Sequence, residues 1–265
     1  MLHTGTSFRR SLRIHFRVIG ALLMREIITR YGRDNLGFFW LFVEPMIFTL
    51  GVTALWYTTG AHRLTNIPIV AFTVAGYSSV LLWRNCANRC VMAIQPNMGL
   101  LYHRNVRVLD LLITRTLLEI AGASISFVVL SSLWISLGWM DLPVDLSLVL
   151  CGWVLLAWFG TAVALILGAL TAHSEVWERF WGPTTYLLFP LSGAMFMVDW
   201  LPHKMQDVIL ILPMVHGVEM LRAGYFGPIF RAHYDTDYVI CVCLVLTLLG
   251  LVLVRDAGRR VELQA

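Results

Sequence analysis

Along the chain, long apolar runs alternate with short polar segments rich in arginine. Runs at Gly37 to Tyr57, Ile67 to Trp83, Thr116 to Leu137, Ser147 to Leu170, Phe180 to Val198 and Tyr238 to Val254 approach the roughly 20 residues a helix needs to cross a bilayer. This pattern predicts six spanning helices. Ahead of the first run, Leu12, Phe16, Ile19, Leu23 and Ile27 recur in steps of three and four, with Arg10, Arg13 and Arg17 gathered on one flank. That periodicity predicts an amphipathic helix over 9–33 lying on the membrane surface, its arginines reaching anionic headgroups. An ordinary arginine-rich flank of a span is the plainer alternative. Between the fifth and sixth runs, Val208 to Val215 is bounded by Pro202 and Pro213 and is too short to cross. A re-entrant helix pair over about 200–228 is therefore expected, tolerated only where protein or water satisfies its backbone.

Composition agrees with the pattern. The 265 residues are 58% hydrophobic and 14% charged, with a mean hydropathy of +0.73, far from the balance of soluble domains. The expected fold class is an all-α polytopic membrane protein, a single domain over 1–265 without internal repeats. Sixteen of the 20 basic residues fall in the N-terminal segment, the loops after the second and fourth runs, and the C-terminal tail. Cytoplasmic segments retain Arg and Lys, so both termini are expected on the cytoplasmic side of the membrane. The first apolar run is full length, lies behind a polar-rich segment and lacks a small-residue cleavage site, so no cleavable signal peptide is expected. Cys86, Cys90, Cys151, Cys241 and Cys243 form no CxxC pair and read as small buried apolar residues.

Several chemistries are missing from the sequence. There is no GxxxxGK[ST] phosphate loop, and Lys204 is the only lysine, so ATP hydrolysis by a P-loop is not expected in this chain. There is no HExxH, the histidines lack metal spacing, and Ser192-Gly193 follows Pro190 rather than the glycine of a GxSG motif. Neither catalytic residues nor a metal, cofactor or nucleic-acid partner is expected. Glu44 stands out instead, because an acid inside an apolar span is costly. It is expected to pair with Arg84 or Arg89 at the foot of the second run, or else to be hydrated near the interface. The loop from Asn85 to Arg115 breaks at Pro96 and Gly99 and then starts a short helix of mixed character, either a docking point for a soluble partner or a plain connector. Most of the ten tryptophans belong to interfacial belts, but Trp40, Trp83 and Trp181 are candidates to line a sugar path.

Together the stretches MREIITRYGRDNLGFFWLFVEP, AHSEVWERFWGP, FPLSGAMFMVDWLP and ILPMVHGVEMLRAGYFG resemble the permease subunits of type-2 ABC exporters. Within that group they resemble the KpsM-type capsular polysaccharide exporters over nearly the whole chain. The resemblance implies a homodimer joined to two copies of a P-loop ATPase that holds ATP and Mg, with a lipid-linked acidic polysaccharide passing between the permeases. A periplasmic adaptor and an outer-membrane export protein would carry the glycan onward. It also implies a coupling helix at about 98–110, with Met98, Leu100, Leu101, Tyr102, Arg104 and Asn105 on the ATPase, and a second contact at Glu175 and Glu178. Arg25, Arg30, Arg33, Trp40, Glu44, Trp83, Arg84 and Trp181 are the candidates for the substrate path or gate. An O-antigen or teichoic acid exporter permease shares this architecture. A stand-alone secondary transporter would need more buried acids and bases than Glu44 alone provides.

Overall fold

The computed structural model describes residues 8–31, 39–59, 67–101 and 106–264. Among them every regular element is helical. The order is α1 (Phe8–Tyr31), α2 (Trp40–Thr58), α3 (Ile69–Cys90), α4 (Met98–Leu101), α5 (Val108–Ser136), α6 (Leu146–His173), α7 (Val176–Leu191), α8 (His203–Ile209), α9 (Pro213–Phe226) and α10 (Thr236–Gln264). By length and composition α5, α6 and Thr236–Val261 of α10 can each cross a membrane. A fourth apolar unit, His203–Ile209 with Pro213–Ile229, is bent by 108°. The bend falls where Pro213 opens α9, since proline at the first helical turn gives up only a donor that would have no partner there.

Helix α6 is the hub, with α3, α9 and α10 packed around it and α5 packed on α3. Three glycines explain how the neighbours approach so closely. Gly152, Gly160 and Gly168 are eight residues apart, and at about 100° per residue each is turned about 80° from the last. Each therefore faces a different partner. A Cβ on Gly152 would lie 2.8 Å from the Leu221 nitrogen of α9, on Gly160 2.7 Å from the Trp83 Cα of α3, and on Gly168 2.6 Å from a Leu112 methyl of α5. Small residues at such crossings give the close backbone approach that drives packing where no hydrophobic effect operates between helices.

Besides helices that outrun their apolar runs, such as α3, α5 and α10, three features differ from what the sequence pattern predicts. The stretch 180–198 holds α7 only to Leu191; Gly193, at φ +83°, turns the chain, and Val198–Trp200 form a 3-10 turn. Within 98–110 the described residues form α4 at Met98–Leu101 and the first turn of α5, with Arg107 extended and α5 beginning at Val108, where Asp110 Oδ2 accepts from the Arg107 N–H at 3.0 Å. In α1 the face turned to α5 carries His15, Leu22 and Glu26, whereas Leu12 and Phe16 of the expected stripe are exposed, with Met24 and Ile28. The packed face of α1 is thus partly polar, and an apolar stripe is left open beside Arg13 and Arg17.

Candidate functional site

At the end of the bundle where α3 stops, α1 is pinned across the start of α5. His15 Nδ1 meets Asp110 Oδ1 at 2.9 Å, and Arg115 Nε meets Glu26 at 3.1 Å. Arg115 also donates to the Arg89 carbonyl at 2.9 Å, while Arg25 donates to Asn97 Oδ1 at 2.9 Å, tying α1 to the segment before α4. Between these groups lies a cleft of about 330 Å³ lined by Arg25, Glu26, Arg89, Asn97, Arg115 and Glu119 among others. The backbone of the same segment is held from α6, where Thr171 Oγ1 accepts from the Met92 N–H at 3.2 Å.

Asp110 does two jobs here, since one oxygen caps α5 and the other holds His15. Asp110→Ala is expected to cost about 1–2 kcal/mol and to loosen α1. Limited proteolysis should then cut within α1 faster, while Asp110→Asn, which keeps an acceptor at the cap, should be cut at nearly the wild-type rate.

Glu44 pairs with Arg89 rather than Arg84, at 3.5 Å, and Arg89 also reaches Glu119 of α5 at 3.3 Å. The Glu44 side chain is 61% exposed, so this pair contributes on the order of 0–1 kcal/mol. Glu44→Ala should leave the thermal midpoint of the purified chain nearly unchanged.

Arg84 turns instead toward α7. Its Nε donates to Thr185 Oγ1 at 3.2 Å, and its guanidinium lies 5.5 Å from the Tyr186 ring and 5.3 Å from the Phe189 ring. One turn along α3, Asn88 Oδ1 accepts from the Trp181 indole at 2.7 Å. Phe48 of α2, Tyr77 of α3 and Phe189 of α7 meet with centroids 5.7–6.1 Å apart. Trp40 is exposed at the start of α2. Trp83, by contrast, is 1% exposed and packs against Phe159 and Gly160; it belongs to the core of the chain and presents no face to a surface path.

At the opposite end, α9 carries His216, Glu219 and Arg222 at spacings of three, all on one buried face. Arg222 donates to the carbonyls of Gly193, Ala194 and Phe196 at 2.6–2.8 Å and stacks 3.8 Å from the Phe72 ring. Glu219 accepts the N–H groups of Val198 and His233 at 3.2 and 3.1 Å. His216 donates from Nε2 to the Leu210 carbonyl at 2.7 Å and accepts from the Asp235 N–H at Nδ1 at 2.9 Å. Irregular backbone at membrane depth must find its partners within the protein. In this region the arginine supplies donors to loop carbonyls, the glutamate supplies acceptors to loop N–H groups, and the histidine does both. These three residues were not among the sequence candidates, although three ionisable residues spaced three apart in an apolar segment were the available signal.

Of the expected coupling residues, Met98, Leu100 and Leu101 are half-buried. Met98 and Leu101 pack on a cluster containing Cys90, Val108, Val254 and Val261. Glu175 and Glu178 are exposed at the start of α7, with Glu175 3.8 Å from Arg179. Tyr102, Arg104, Asn105 and Arg33 lie outside the described residues, and Arg30 is described only as backbone of α1.

The fold is thus a helical membrane bundle with a bent apolar helix pair and an ionic cluster at one end. Residues 17–226 match the ABC-2 type transporter family, and the chain belongs to that family of membrane transport subunits. It is 46% identical over 259 residues, 98% of both chains, to the capsule polysaccharide export inner-membrane protein CtrC of Neisseria meningitidis serogroup B. It is 44% identical over 259 residues, again 98% of both chains, to the capsule polysaccharide export inner-membrane protein BexB of Haemophilus influenzae. Against the polysialic acid transport protein KpsM of Escherichia coli the identity is 26% over 238 residues, covering 89% of this chain and 92% of the other.

Proposed function

We propose that this chain is the membrane-embedded permease of an ATP-driven exporter that moves lipid-linked capsular polysaccharide across the inner membrane to the periplasm. The observation that carries this reading is the 46% identity to a capsule polysaccharide export protein across 98% of both chains. Energy enters from a separate P-loop ATPase, which holds the ATP and Mg. Two permeases and two ATPases form the transporter, with the termini on the cytoplasmic side. The apolar stripe of α1 lies in the cytoplasmic interface, and Arg25, Arg30 and Arg33 draw the acidic glycan toward α2, where Trp40 and Glu44 stand at its entrance. The ATPase seats on the segment Met98 to Asn105 and on Glu175 and Glu178. In support, Met98 and Leu101 pack on the cluster around Cys90, and Thr171, four residues before Glu175, holds the Met92 backbone. A periplasmic adaptor and an outer-membrane protein take the glycan onward.

Affinity purification of the chain co-expressed with the ATPase encoded beside it tests the reading. A stable complex of two permeases and two ATPases is expected, with Arg104→Glu lowering ATPase recovery about tenfold or more. Recovery of the chain without any P-loop protein under gentle extraction would overturn the assignment.

A further inference from the structure

Three arginines set against the bundle are each matched to two or more acceptors. Arg222 has three carbonyls, Arg115 has Glu26 and the Arg89 carbonyl, and Arg89 has Glu119 and Glu44. Arg84 is not matched in this way. It sits on α3 six residues before the helix ends at Cys90, about 9 Å along the axis, where an unmatched charge is costly. Its one hydrogen bond to protein is from Nε to Thr185, and its planar faces lie near Tyr186 and Phe189. Among the described residues no carboxylate lies within 4 Å of it and its terminal nitrogens have no acceptor. Thr185 and the two rings also hold the side chain toward α7, so it is not free to extend to the interface as an unanchored arginine would.

The site opens outward, since Arg84 is half-buried and Tyr186 is 72% exposed. A guanidinium held by its Nε keeps its two terminal nitrogens available as a fork, the geometry that receives a carboxylate or phosphate with two parallel bonds. The exposed Tyr186 ring beside that fork offers an apolar face to the C–H side of a sugar ring. Nothing in the pairing of Phe48, Tyr77 and Phe189 behind it competes for the anion.

We infer that Arg84 and Tyr186 form an anion subsite for the acidic groups of the glycan, with Arg84 taking the sugar carboxylate and Tyr186 stacking on the ring that bears it. This rests on the exporter reading and names the residues that sense the charge of its substrate. A phosphate of a membrane lipid offers the fork similar chemistry, but gives the Tyr186 ring nothing to stack on.

The test uses the full chain with its ATPase partner in nanodiscs of zwitterionic lipid. Binding of a fluorescent hexamer of galacturonic acid is compared with that of maltohexaose. The wild type should bind the acidic hexamer, more weakly as salt rises, and Arg84→Gln should weaken it about tenfold while Arg84→Lys retains an intermediate affinity. Tyr186→Ala, at an exposed position that tolerates truncation, should weaken both acidic and neutral hexamers and keeps the test open if Arg84→Gln does not fold. Equal binding by wild type and Arg84→Gln, or no binding of the acidic hexamer by the wild type, would overturn the subsite. Loss of hexamer binding when phosphatidylglycerol is added to the disc would assign Arg84 to lipid and also overturn it. Export in cells separates the two levels of inference. If deleting the chain abolishes surface glycan while Arg84→Gln exports normally, only the subsite fails; if deletion leaves surface glycan unchanged, the exporter reading fails.

Discussion

Arg222→Met should leave little folded protein. The guanidinium is 0% exposed and is the hydrogen-bond partner of three carbonyls in the turn after α7. Methionine fills much of the volume and restores none of the bonds. Each unsatisfied buried carbonyl costs about 1–3 kcal/mol, and removing one member of a buried charge network typically costs about 3–5 kcal/mol, a large share of the total stability of a domain. Arg222→Lys should recover only part of the loss, because a single ammonium cannot reach three carbonyls that a planar fork spans. Glu219→Gln is the milder partner substitution: the amide keeps one acceptor but turns a donor toward the N–H of Val198 or His233. Monodisperse yield and thermal midpoint of the detergent-solubilised chain read the series. The expected order of stability is wild type, Glu219→Gln, Arg222→Lys, Arg222→Met, and a wild-type midpoint for Arg222→Met would show that the loop after α7 does not depend on this residue.

The helical membrane class was legible because burial in lipid imposes long apolar runs, and the broken pair before α10 was legible from a short run closed by Pro213. Rotation of the helices about their own axes was not. Arg84 and Arg89 are five residues apart, about 140° around α3, so only one of them can face the Glu44 carboxylate. Which one is set by how α3 seats on α6, with Trp83 against Gly160 and Phe159. The same problem hid the packed face of α1, since a search for apolar periodicity overlooks His15 and Glu26, whose partners Asp110 and Arg115 are almost a hundred residues away. Trp83 read as a candidate for the sugar path because it stands at the end of an apolar run, whereas here the close approach at Gly160 draws the ring inward. In the motif ILPMVHGVEMLRAGYFG most prominent positions have a physical role in the fold. Pro213 starts α9, Gly217 and Gly224 admit Leu156 and the start of α6, and His216, Glu219 and Arg222 satisfy loop backbone.

The seating of α3 on α6 can be tested directly, because two glycines of α6 meet obstacles of different kinds. At Gly160 an added methyl would lie 2.7 Å from Trp83 Cα and 3.1 Å from its Cβ and carbonyl oxygen. Those atoms are backbone or attached directly to it, so relief requires moving α3 bodily away from α6. At Gly168 the nearest atoms are the Leu112 methyls at 2.6 and 3.0 Å, with the Cys90 carbonyl oxygen next at 3.2 Å; the leucine can change rotamer at a cost of order 0.5–1.5 kcal/mol. Gly160→Ala should therefore destabilise by the full overpacking cost of about 1–3 kcal/mol or more, and Gly168→Ala by clearly less. Gly20 of α1 has no atom within 4 Å of such a methyl, and Gly20→Ala should be neutral or stabilising by up to about 1 kcal/mol from helix propensity alone. Thermal midpoints in one detergent rank the three. Because Arg84, Asn88 and Arg89 ride on α3, displacement at Gly160 should also disturb the Arg84 and Arg89 contacts, so Gly160→Ala should lower glycan export beyond what its residual folded fraction explains. Equal midpoints for Gly160→Ala and Gly168→Ala would mean that α3 is free to shift at the crossing, and that the rotation of Arg84 toward α7 is set by something other than the fit of Trp83 on Gly160.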